Sequence, residues 1–396
     1  MYIQREIRST VEDALGMFPA VVLTGPRQSG KTTFVREALG RDFGYVSLDD
    51  PLVRDFAATD PNGFLDRFGT QPLILDEVQH APGLLPYLKA RIDADRGRTG
   101  RYVLTGSQQF RVMRDVGESL AGRVAILDLL PFSLLERGVA GEVPLAEILW
   151  CGLYPEPSLH PVRRDLWLRG YVETYLERDV RQLTAVRDLA AFQTVLQACA
   201  ALNGQEVNLA ALSRRCGVTQ PTIKAWLGVL QASYLVHLVP PFHRNFGKRL
   251  VKSSKLCFLD PALVSYLTRQ PGQEAALAGA QGGALFEGLV VAEALKAFAA
   301  AGRRPEVFHW RSREGLEVDL ILQIRDRLVP VEVKLTATPA VGHTLPMERF
   351  KRAAGSEAAS EGILVCRVPR PTPLPHGNLA LPWTEFSKLL RAMLVG

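Results

Sequence analysis

The sequence has few cysteines, and none of them form a pair at metal-binding spacing. An odd number of scattered cysteines with no C-x-x-C pair is typical of neither a zinc site nor a disulfide framework. We therefore interpret all five as thiols of the protein core. They are Cys151, Cys199, Cys216, Cys257 and Cys366.

A long uninterrupted hydrophobic run is also missing. The first seven residues lack the apolar stretch of a signal peptide, and the most apolar later region is interrupted by Glu287, Glu293 and Lys296. With 47% hydrophobic and 22% charged residues, the composition is that of a soluble globular protein. We expect a cytoplasmic protein with no membrane association. Its 396 residues predict two or three domains.

The pattern along the chain predicts an α/β multidomain protein. Short apolar runs at 20–24, 72–75 and 101–104 alternate with helical segments, as in a parallel sheet covered on both faces. A helical region follows from about 160 to 235. An amphipathic helix then begins near 283, before strands near 306–310, 317–324, 328–334 and 362–367. We predict three domains: 1–145, 146–275 and 276–396.

The segment from Gly25 to Thr32 has the spacing G-x-x-x-x-G-K-[ST] and lies between a predicted strand and a predicted helix. Glycines let the backbone wrap round phosphates, and the amides at the helix start supply positive potential. Lys31 is expected to reach the outer phosphates, and the hydroxyl of Thr32 is expected to bind Mg²⁺. The predicted ATP-binding residues are Gly25, Pro26, Arg27, Gln28, Ser29, Gly30, Lys31, Thr32 and Thr33.

Two acids follow the apolar run Leu73-Ile-Leu and lie at the end of a predicted strand. A nucleoside-triphosphate site needs a second metal contact and a base that orients the attacking water, and adjacent carboxylates can supply both. We assign Asp76 to Mg²⁺ and Glu77 to water.

Two further motifs are candidates for contacts to the γ-phosphate. The run Val103-Leu-Thr-Gly-Ser107 ends another predicted strand, and Ser107 is our preferred sensor of the phosphate or of the attacking water. Arg123 follows Ala-Gly and is suited to stabilising developing phosphate charge, in its own or a neighbouring subunit. A salt bridge is the alternative interpretation of Arg123.

The region from Leu209 to Leu230 predicts helix, glycine turn and helix, with Thr219 capping the second helix. The runs 234–239 and 255–259 are expected to pair across a basic loop, which completes a winged helix. Nine Lys/Arg against two Asp/Glu lie between 205 and 270, which favours DNA over the alternative of a protein-binding or interdomain module. The candidate DNA contacts are Thr219, Gln220, Thr222, Lys224, Arg244, Lys248 and Arg249.

Near the end of the chain, two predicted neighbouring strands carry Asp319 and then Glu332-Val-Lys334. Two acids can hold a divalent ion, Mg²⁺ or Mn²⁺, while the lysine steadies an attacking hydroxide or phosphorane charge. Glu287, on the preceding helix, is a further candidate ligand. Acids and lysines at strand ends are also ordinary surface residues, which is the alternative interpretation to nuclease activity.

These motifs together resemble the bacterial and archaeal AAA-type ATPases with a C-terminal DUF4143 region. The resemblance implies an AAA-like core and a PD-(D/E)xK nuclease-like C-terminal fold, and it permits a homo-oligomer, either a ring or another form. The Pro-Asp pair typical of that nuclease fold is absent, and Glu317-Val precedes Asp319 instead. The segments that carry the resemblance are Gly25-Pro-Arg-Gln-Ser-Gly-Lys-Thr, Leu75-Asp-Glu-Val-Gln, Leu104-Thr-Gly-Ser, Leu120-Ala-Gly-Arg, Glu177-Arg-Asp-Val and Lys255-Leu-Cys-Phe-Leu-Asp260.

Our main hypothesis is an Mg²⁺-dependent ATPase that acts on DNA as a motor or remodelling enzyme, at branched DNA such as Holliday junctions, in repair or recombination. A second hypothesis is a nucleotide-controlled regulatory or scaffold protein with a silent nuclease-like domain. A third is an ATP-gated, metal-dependent DNA nuclease.

Overall fold

The computed structural model describes residues 2–106, 119–138, 143–175, 180, 186, 188–243, 253–312 and 314–395. Two compact units make up this structure. The first contains Met1–Pro131 and Ala299–Arg303, and the second contains Phe132–Phe298 and Arg304–Gly396. The proposed division into three domains stays a prediction.

The first unit is built on a five-stranded sheet with the order β2-β3-β4-β1-β5, in which every neighbouring pair is parallel. A parallel sheet of this kind, buried on both faces, confirms the predicted α/β class. The runs predicted at 20–24, 72–75 and 101–104 are β1, β3 and β4 to within one residue. The strands are β1 Ala20–Thr24, β2 Gly44–Ser47, β3 Leu73–Asp76, β4 Tyr102–Thr105 and β5 Val124–Asp128.

Alternating residues of β1 enter two different cores. Ala20 and Val22 pack into the core on one face of the sheet, whereas Val21 and Leu23 pack into the core on the other. Helices on both faces complete these cores, so the ends of β1 and β3 are held rigidly. The α-helices of this unit are Arg8–Met17, Lys31–Leu39, Pro51–Thr59, Pro61–Asp66 and Leu85–Ala94, with 3₁₀ turns at Val78–His80 and Pro82–Leu84.

The second unit begins with helices and a small three-stranded sheet. Gly217, in the left-handed region with φ 69°, ends one helix, and the hydroxyl of Thr219 caps the next. The helices are Leu145–Cys151, Pro155–Leu159, Arg164–Thr174, Leu189–Ala201, Leu209–Cys216, Gln220–Ala232, Pro261–Leu267 and Gln273–Ala278, with a 3₁₀ turn at Pro161–Arg163.

The small sheet has the order β6-β8-β7, with antiparallel pairs throughout. Its strands are β6 Gln205–Glu206, β7 Val236–Val239 and β8 Lys255–Phe258. The predicted pairing of the runs near 234–239 and 255–259 is therefore confirmed. The helical region predicted from about 160 to 235 is wrong at one point, because it contains the strand β6, which pairs with β8.

A six-stranded mixed sheet with the order β13-β14-β12-β11-β10-β9 forms the rest of the second unit. Strands β9, β10 and β11 are antiparallel neighbours, while β11, β12 and β14 run parallel. The strands are β9 Val307–Arg311, β10 Glu317–Ile324, β11 Arg327–Val333, β12 Ile363–Cys366, β13 Thr372–Leu374 and β14 Asn378–Pro382. Helices Leu345–Ala354 and Phe386–Val395 accompany them, with 3₁₀ turns at Val341–Thr344, Gly355–Glu357, Pro375–Gly377 and Trp383–Glu385.

The helix Gly282–Ala300 differs from the amphipathic helix that the sequence predicts. Its residues are buried on nearly every side, including Glu293 and Lys296, which are 1% and 4% exposed. These two side chains form an ion pair of 2.8 Å, and Glu293 also accepts a hydrogen bond from Leu134 N at 2.8 Å. Internal partners replace solvent for both charges, so polar residues here do not mark an exposed face. In the described part of the chain, no helix combines the length and apolar character needed to span a bilayer.

Candidate functional site

The loop between β1 and the helix Lys31–Leu39 has the backbone conformation of a phosphate-binding turn. Gly25 has φ 135°, and a Cβ there would lie 2.2 Å from the carbonyl oxygen of Leu129. Gly30 has φ 93° and directly precedes the helix. Both positions therefore require glycine. The turn aims the helix N-terminus at the centre of the loop, where an anion is favoured.

The ammonium group of Lys31 lies inside this loop. The residue is 5% exposed, and its Nζ donates to the carbonyl oxygens of Gly25 at 2.9 Å and Pro26 at 2.7 Å. Both acceptors are neutral. A phosphate oxygen carries a full charge and makes the stronger hydrogen bond to an ammonium group, so these contacts are ones that a triphosphate can replace.

Arg5 supports the same loop, although it belongs to no sequence motif. Its side chain is 5% exposed and donates to the carbonyl oxygens of Ser29 at 2.9 Å and Leu130 at 2.6 Å. Among the other predicted contacts, Pro26 and Ser29 are buried, Arg27, Gly30 and Thr32 are half-buried, and Gln28 and Thr33 are exposed.

Three hydroxyl groups converge on the carboxylate of Asp76, which is 2% exposed at the end of β3. Thr32 and Tyr45 donate to Oδ2 at 2.8 and 2.7 Å, and Thr105 donates to Oδ1. Burial, followed by the hydrogen bond to Asp76, raises the pKa of Tyr45 to about 12. The structure thus brings Thr32 and Asp76 together, as predicted. It adds Tyr45, which comes from the neighbouring strand β2.

Glu77 follows β3 in the left-handed conformation, with φ 58° and ψ 49°. Its backbone N–H donates to Thr105 Oγ1 at 3.1 Å, and its carboxylate accepts a hydrogen bond from Gln79 Nε2. Gln79 is 7% exposed, and its Oε1 is buried with no hydrogen-bond partner in the described residues. Thr105 and Gln79 therefore fix the backbone and the side chain of Glu77, respectively.

The oxygen atoms around Asp76 are suitable ligands for a small hard cation. A hydroxyl oxygen and a carboxylate oxygen lie 2.8 Å apart at the rim of the phosphate loop, and Mg²⁺ prefers oxygen ligands supplied by one or two side chains together with phosphates. The residues present fit Mg²⁺.

The two remaining catalytic candidates have different outcomes. Ser107 lies outside the described residues. The guanidinium of Arg123 binds both carboxylate oxygens of Asp93, at 2.8 and 2.9 Å. This pairing is the salt-bridge alternative for Arg123, and it raises the pKa of Arg123 through the hydrogen bond to Asp93. A role for Arg123 towards phosphate stays a prediction.

The helix-turn-helix presents a mixed basic and small-residue surface. Thr219, Gln220 and Lys224 are exposed and Thr222 is half-buried. The hydroxyls of Thr219 and Thr222 lie 2.8 Å apart, and Thr219 also accepts from Thr222 N at 3.3 Å, which shows that these two groups stabilise the helix start. Arg214 and Arg215, at the end of the preceding helix, are also exposed and add to the predicted DNA contacts. Arg244, Lys248 and Arg249 lie outside the described residues.

The predicted acidic residues of the C-terminal sheet lie together. Asp319 Oδ2 accepts hydrogen bonds from Val333 N at 2.9 Å and from Lys334 Nζ at 3.5 Å, and Lys334 Nζ also donates to Glu332 Oε1 at 2.5 Å. Burial and the charge of Asp319 raise the pKa of Glu332 to about 8. Burial lowers the pKa of Lys334, but Asp319 and Glu332 outweigh it and the net shift is upward.

A second lysine occupies this acid cluster from another sheet. Lys255, the first residue of β8, has a side chain that is 4% exposed. Its Nζ lies 2.8 Å from Glu287 Oε1 and 3.6 Å from Asp319 Oδ1, and it also pairs with Glu317. Burial lowers the pKa of Lys255, but the charges of Glu287, Asp319 and Glu317 raise it above its ordinary range. We call Lys255, Glu287, Glu317, Asp319, Glu332 and Lys334 the acid–lysine cluster.

The acid–lysine cluster does not fit the second divalent ion that the sequence suggested. Asp319 uses one carboxylate oxygen for each lysine, and Glu287 is paired with Lys255. No group of three or more His, Cys, Asp or Glu side chains in the described ranges has the arrangement of a metal site. The ammonium of Lys255 lies where the acids converge, which is where a cation would be bound.

Comparison with known proteins places these features in families. Residues 17–137 match an AAA domain, residues 143–274 match the domain of unknown function DUF8612, and residues 282–386 match the domain of unknown function DUF4143. The chain is 30% identical over 347 residues to the uncharacterized proteins Mb2031c of Mycobacterium bovis and Rv2008c of Mycobacterium tuberculosis. The matched residues cover 86% of this chain and 76% of each relative.

A structural comparison finds the Walker-type ATPase PABY2304 of Pyrococcus abyssi. It is 16% identical, with a TM-score of 0.47, and the match covers 67% of this chain and 96% of that chain. The family assignment rests on the sequence matches and on the motifs described above. The chain belongs to the AAA-type ATPases that carry a C-terminal DUF4143 domain, and it is an ATPase.

Proposed function

We propose that this ATPase depends on Mg²⁺ and uses the loop Gly25 to Thr33 as its triphosphate site. The single observation that carries the proposal is the arrangement of the loop, Lys31, Thr32 and Asp76 at one end of the parallel sheet. The loop amides and the helix N-terminus bind the phosphates. Thr32 and Asp76 hold Mg²⁺, which when bound neutralises charge on the phosphates.

Glu77 orients the attacking water in this proposal. Gln79 and Thr105 hold Glu77 in place through the contacts described above. A carboxylate fixed in this way is set to accept a proton from water without first paying for its own ordering. Lys31 exchanges two backbone carbonyls for phosphate oxygens when the nucleotide binds.

We infer further that ATP hydrolysis serves an action on DNA, including branched DNA such as Holliday junctions in repair or recombination. The exposed side chains of Arg214, Arg215 and Lys224 on the helix-turn-helix support this inference, because phosphate contacts from such residues dominate affinity for DNA. One of the nine basic residues between 205 and 270, Lys255, is buried in the acid–lysine cluster and does not contribute to that surface. We also propose that the protein is a homo-oligomer, which light scattering would measure.

The test is ATP turnover with no DNA and with duplex, single-stranded and four-way DNA, each at two salt concentrations. We expect stimulation that weakens at the higher salt concentration. The triple variant R214A/R215A/K224A should lose the stimulation and keep the basal rate. The matched control is K388A, which removes an exposed lysine from the helix Phe386–Val395. Turnover that no DNA stimulates, together with binding that salt does not weaken, would refute the action on DNA.

A nucleotide-controlled scaffold is the second candidate. It is favoured by the pairing of Lys255 and Lys334 with every carboxylate of the acid–lysine cluster, which gives the C-terminal sheet the character of a structural core. In that case, turnover is slow and identical with and without DNA in the same panel.

A further inference from the structure

The acid–lysine cluster joins three elements of the second unit through one buried ammonium group. Lys255 comes from β8 of the small sheet, Glu287 from the helix Gly282–Ala300, and Glu317 and Asp319 from β10 of the mixed sheet. Three carboxylates contact this ammonium, as ligands surround a bound metal cation. Its burial and its several contacts indicate that the ammonium group permanently occupies this position.

The backbone around Lys255 holds the lysine in this position. The side chain of Asn203 accepts from Phe258 N at 2.9 Å and donates to the carbonyl oxygen of Ala284 at 2.8 Å. Gly288 allows this contact, because a Cβ there would lie 2.6 Å from Asn203 Nδ2. Strand β8 is thereby fixed to the helix that carries Glu287. Lys255 cannot leave the acids by a movement of β8 alone.

The same carboxylates form a set that a divalent ion would take if the ammonium were absent. Glu287 and Asp319 lie 2.8 and 3.6 Å from Lys255 Nζ, whereas oxygen ligands lie about 2.1 Å from Mg²⁺ and up to about 2.6 Å from Ca²⁺. Small side-chain movements would close this difference. Charge also favours replacement, because Glu287, Glu317 and Asp319 would then lose the ammonium group that all three contact.

We propose that Lys255 is the built-in cation of the acid–lysine cluster, and that it excludes divalent metal from the folded chain. Replacing Lys255 with methionine removes the ammonium group and opens a divalent-cation site formed by Glu287, Glu317 and Asp319. The proposal stands whether or not the protein acts on DNA, because it concerns only the second unit.

The experiment titrates Mn²⁺ into nucleotide-free, full-length protein and follows free Mn²⁺ by electron paramagnetic resonance. We expect K255M to bind one more equivalent of Mn²⁺ than wild type, at least about tenfold more tightly than any wild-type site outside the nucleotide loop. The double variant K255M/D319N should lose that equivalent. K334M is the matched control, since it removes the other lysine and leaves Lys255 in place, and it should behave like wild type.

Two outcomes would overturn the proposal. One is Mn²⁺ binding by wild type that D319N abolishes, which would show that the ammonium does not exclude the metal. The other is a folded K255M that binds no more Mn²⁺ than K334M. If K255M folds poorly, thermal unfolding with and without Mn²⁺ still tests the proposal. Mn²⁺ should raise the Tm of K255M and leave the Tm of K334M unchanged. Equal shifts in the two variants would also contradict the proposal.

Discussion

Lys31 and Lys255 are both nearly buried, yet their surroundings are opposite. Nζ of Lys31 contacts two neutral backbone carbonyls in a glycine-rich loop, whereas Nζ of Lys255 contacts three carboxylates from two other elements. A charged phosphate oxygen makes a stronger hydrogen bond to an ammonium group than a neutral carbonyl oxygen does, whereas carboxylates already offer such charged acceptors. The first lysine is thus prepared for an anionic ligand, and the second already has its counter-charges.

The comparison shows why a lysine motif alone does not identify a reactive site. Asp319 and Glu332-Val-Lys334 have the spacing of a metal-dependent nuclease, but the position at which the acids converge holds an ammonium. At the nucleotide loop, Thr32 and Asp76 offer oxygen atoms 2.8 Å apart, and these suit a divalent ion. The partner of each lysine, more than the lysine itself, separates a ligand site from a structural cluster.

The largest expected effect comes from removing the ammonium group of Lys31. K31A should lower ATP turnover by at least about 100-fold, the loss typical for one group that stabilises transition-state charge. Its free energy of unfolding should fall by roughly 1.5–3 kcal/mol, because hydrogen bonds from a charged donor to the carbonyls of Gly25 and Pro26 are lost. ATP turnover and urea unfolding, measured on the same preparation, give the loss of activity and the change in stability. Turnover close to that of wild type would break the comparison.

Removing the ammonium group of Lys255 should instead lower stability and leave ATP turnover unchanged. K255M should lose about 3–5 kcal/mol of stability in metal-free buffer, because it leaves buried carboxylates without their counter-charge. Turnover per folded molecule should be that of wild type, since every residue of the nucleotide site is retained. K334M, whose lysine is 37% exposed, should lose about 1 kcal/mol or less. Equal losses in the two variants would contradict the account.

A smaller effect tests the support of Glu77. Q79A should lower kcat about tenfold and leave KM for ATP unchanged, because Gln79 positions the carboxylate that acts on water and does not contact the nucleotide. The matched variant Y45F removes a hydroxyl from Asp76 instead, and should change KM for Mg²⁺. A rise in KM for ATP with constant kcat in Q79A would show that Gln79 has no positioning role.

The smallest expected effect concerns the sheet that carries Lys255. Burial lowers the pKa of His237 in β7 to about 4, while an unfolded histidine titrates near pH 6.5. The unfolded chain therefore binds a proton first, so stability present above pH 6.5 is lost as pH falls towards 4. The loss between pH 7 and pH 5 should be about 1 kcal/mol for this half-buried ring. Burial also lowers the pKa of His309, which adds to the loss.

The variant H237N should reduce this dependence in urea unfolding at pH 5, 6 and 7. H160N is its matched control, because His160 is exposed. An unchanged slope in H237N would mean that β7 is open to solvent, and that the sheet holding Lys255 is less rigid than described.

The strands that the sequence predicts correctly are those with continuous apolar runs. β1, β3 and β10 are buried along almost their whole length, and such runs bounded by turn residues give a clear signal. β2, with the sequence Gly-Tyr-Val-Ser, is half-buried throughout and has no such run. The helix Gly282–Ala300 is not amphipathic as the sequence predicts, because its charged residues find partners inside the protein, which a one-dimensional pattern cannot show.

The functional residues likewise divide into those that local sequence predicts and those that only the folded structure shows. Local spacing predicts the glycines, Lys31 and Thr32, and the end of a buried strand predicts Asp76 and Glu77. Tyr45, Arg5 and Lys255 reach their partners across 31, 24 and 32 residues of sequence, so only the register of strands and the packing of helices bring them there. For this reason, the sequence alone does not separate Lys255 from the basic surface residues between 205 and 270.

The central claim is that the loop at the end of β1 binds a triphosphate together with Mg²⁺. Calorimetric titration of ATP into nucleotide-free protein, with Mg²⁺ present and with Mg²⁺ removed by chelation, tests it most directly. We predict one site per chain whose affinity falls sharply when Mg²⁺ is removed and is lost in K31A. A folded wild-type protein with no Mg²⁺-supported affinity for ATP, or a K31A variant that binds as tightly as wild type, would contradict the account.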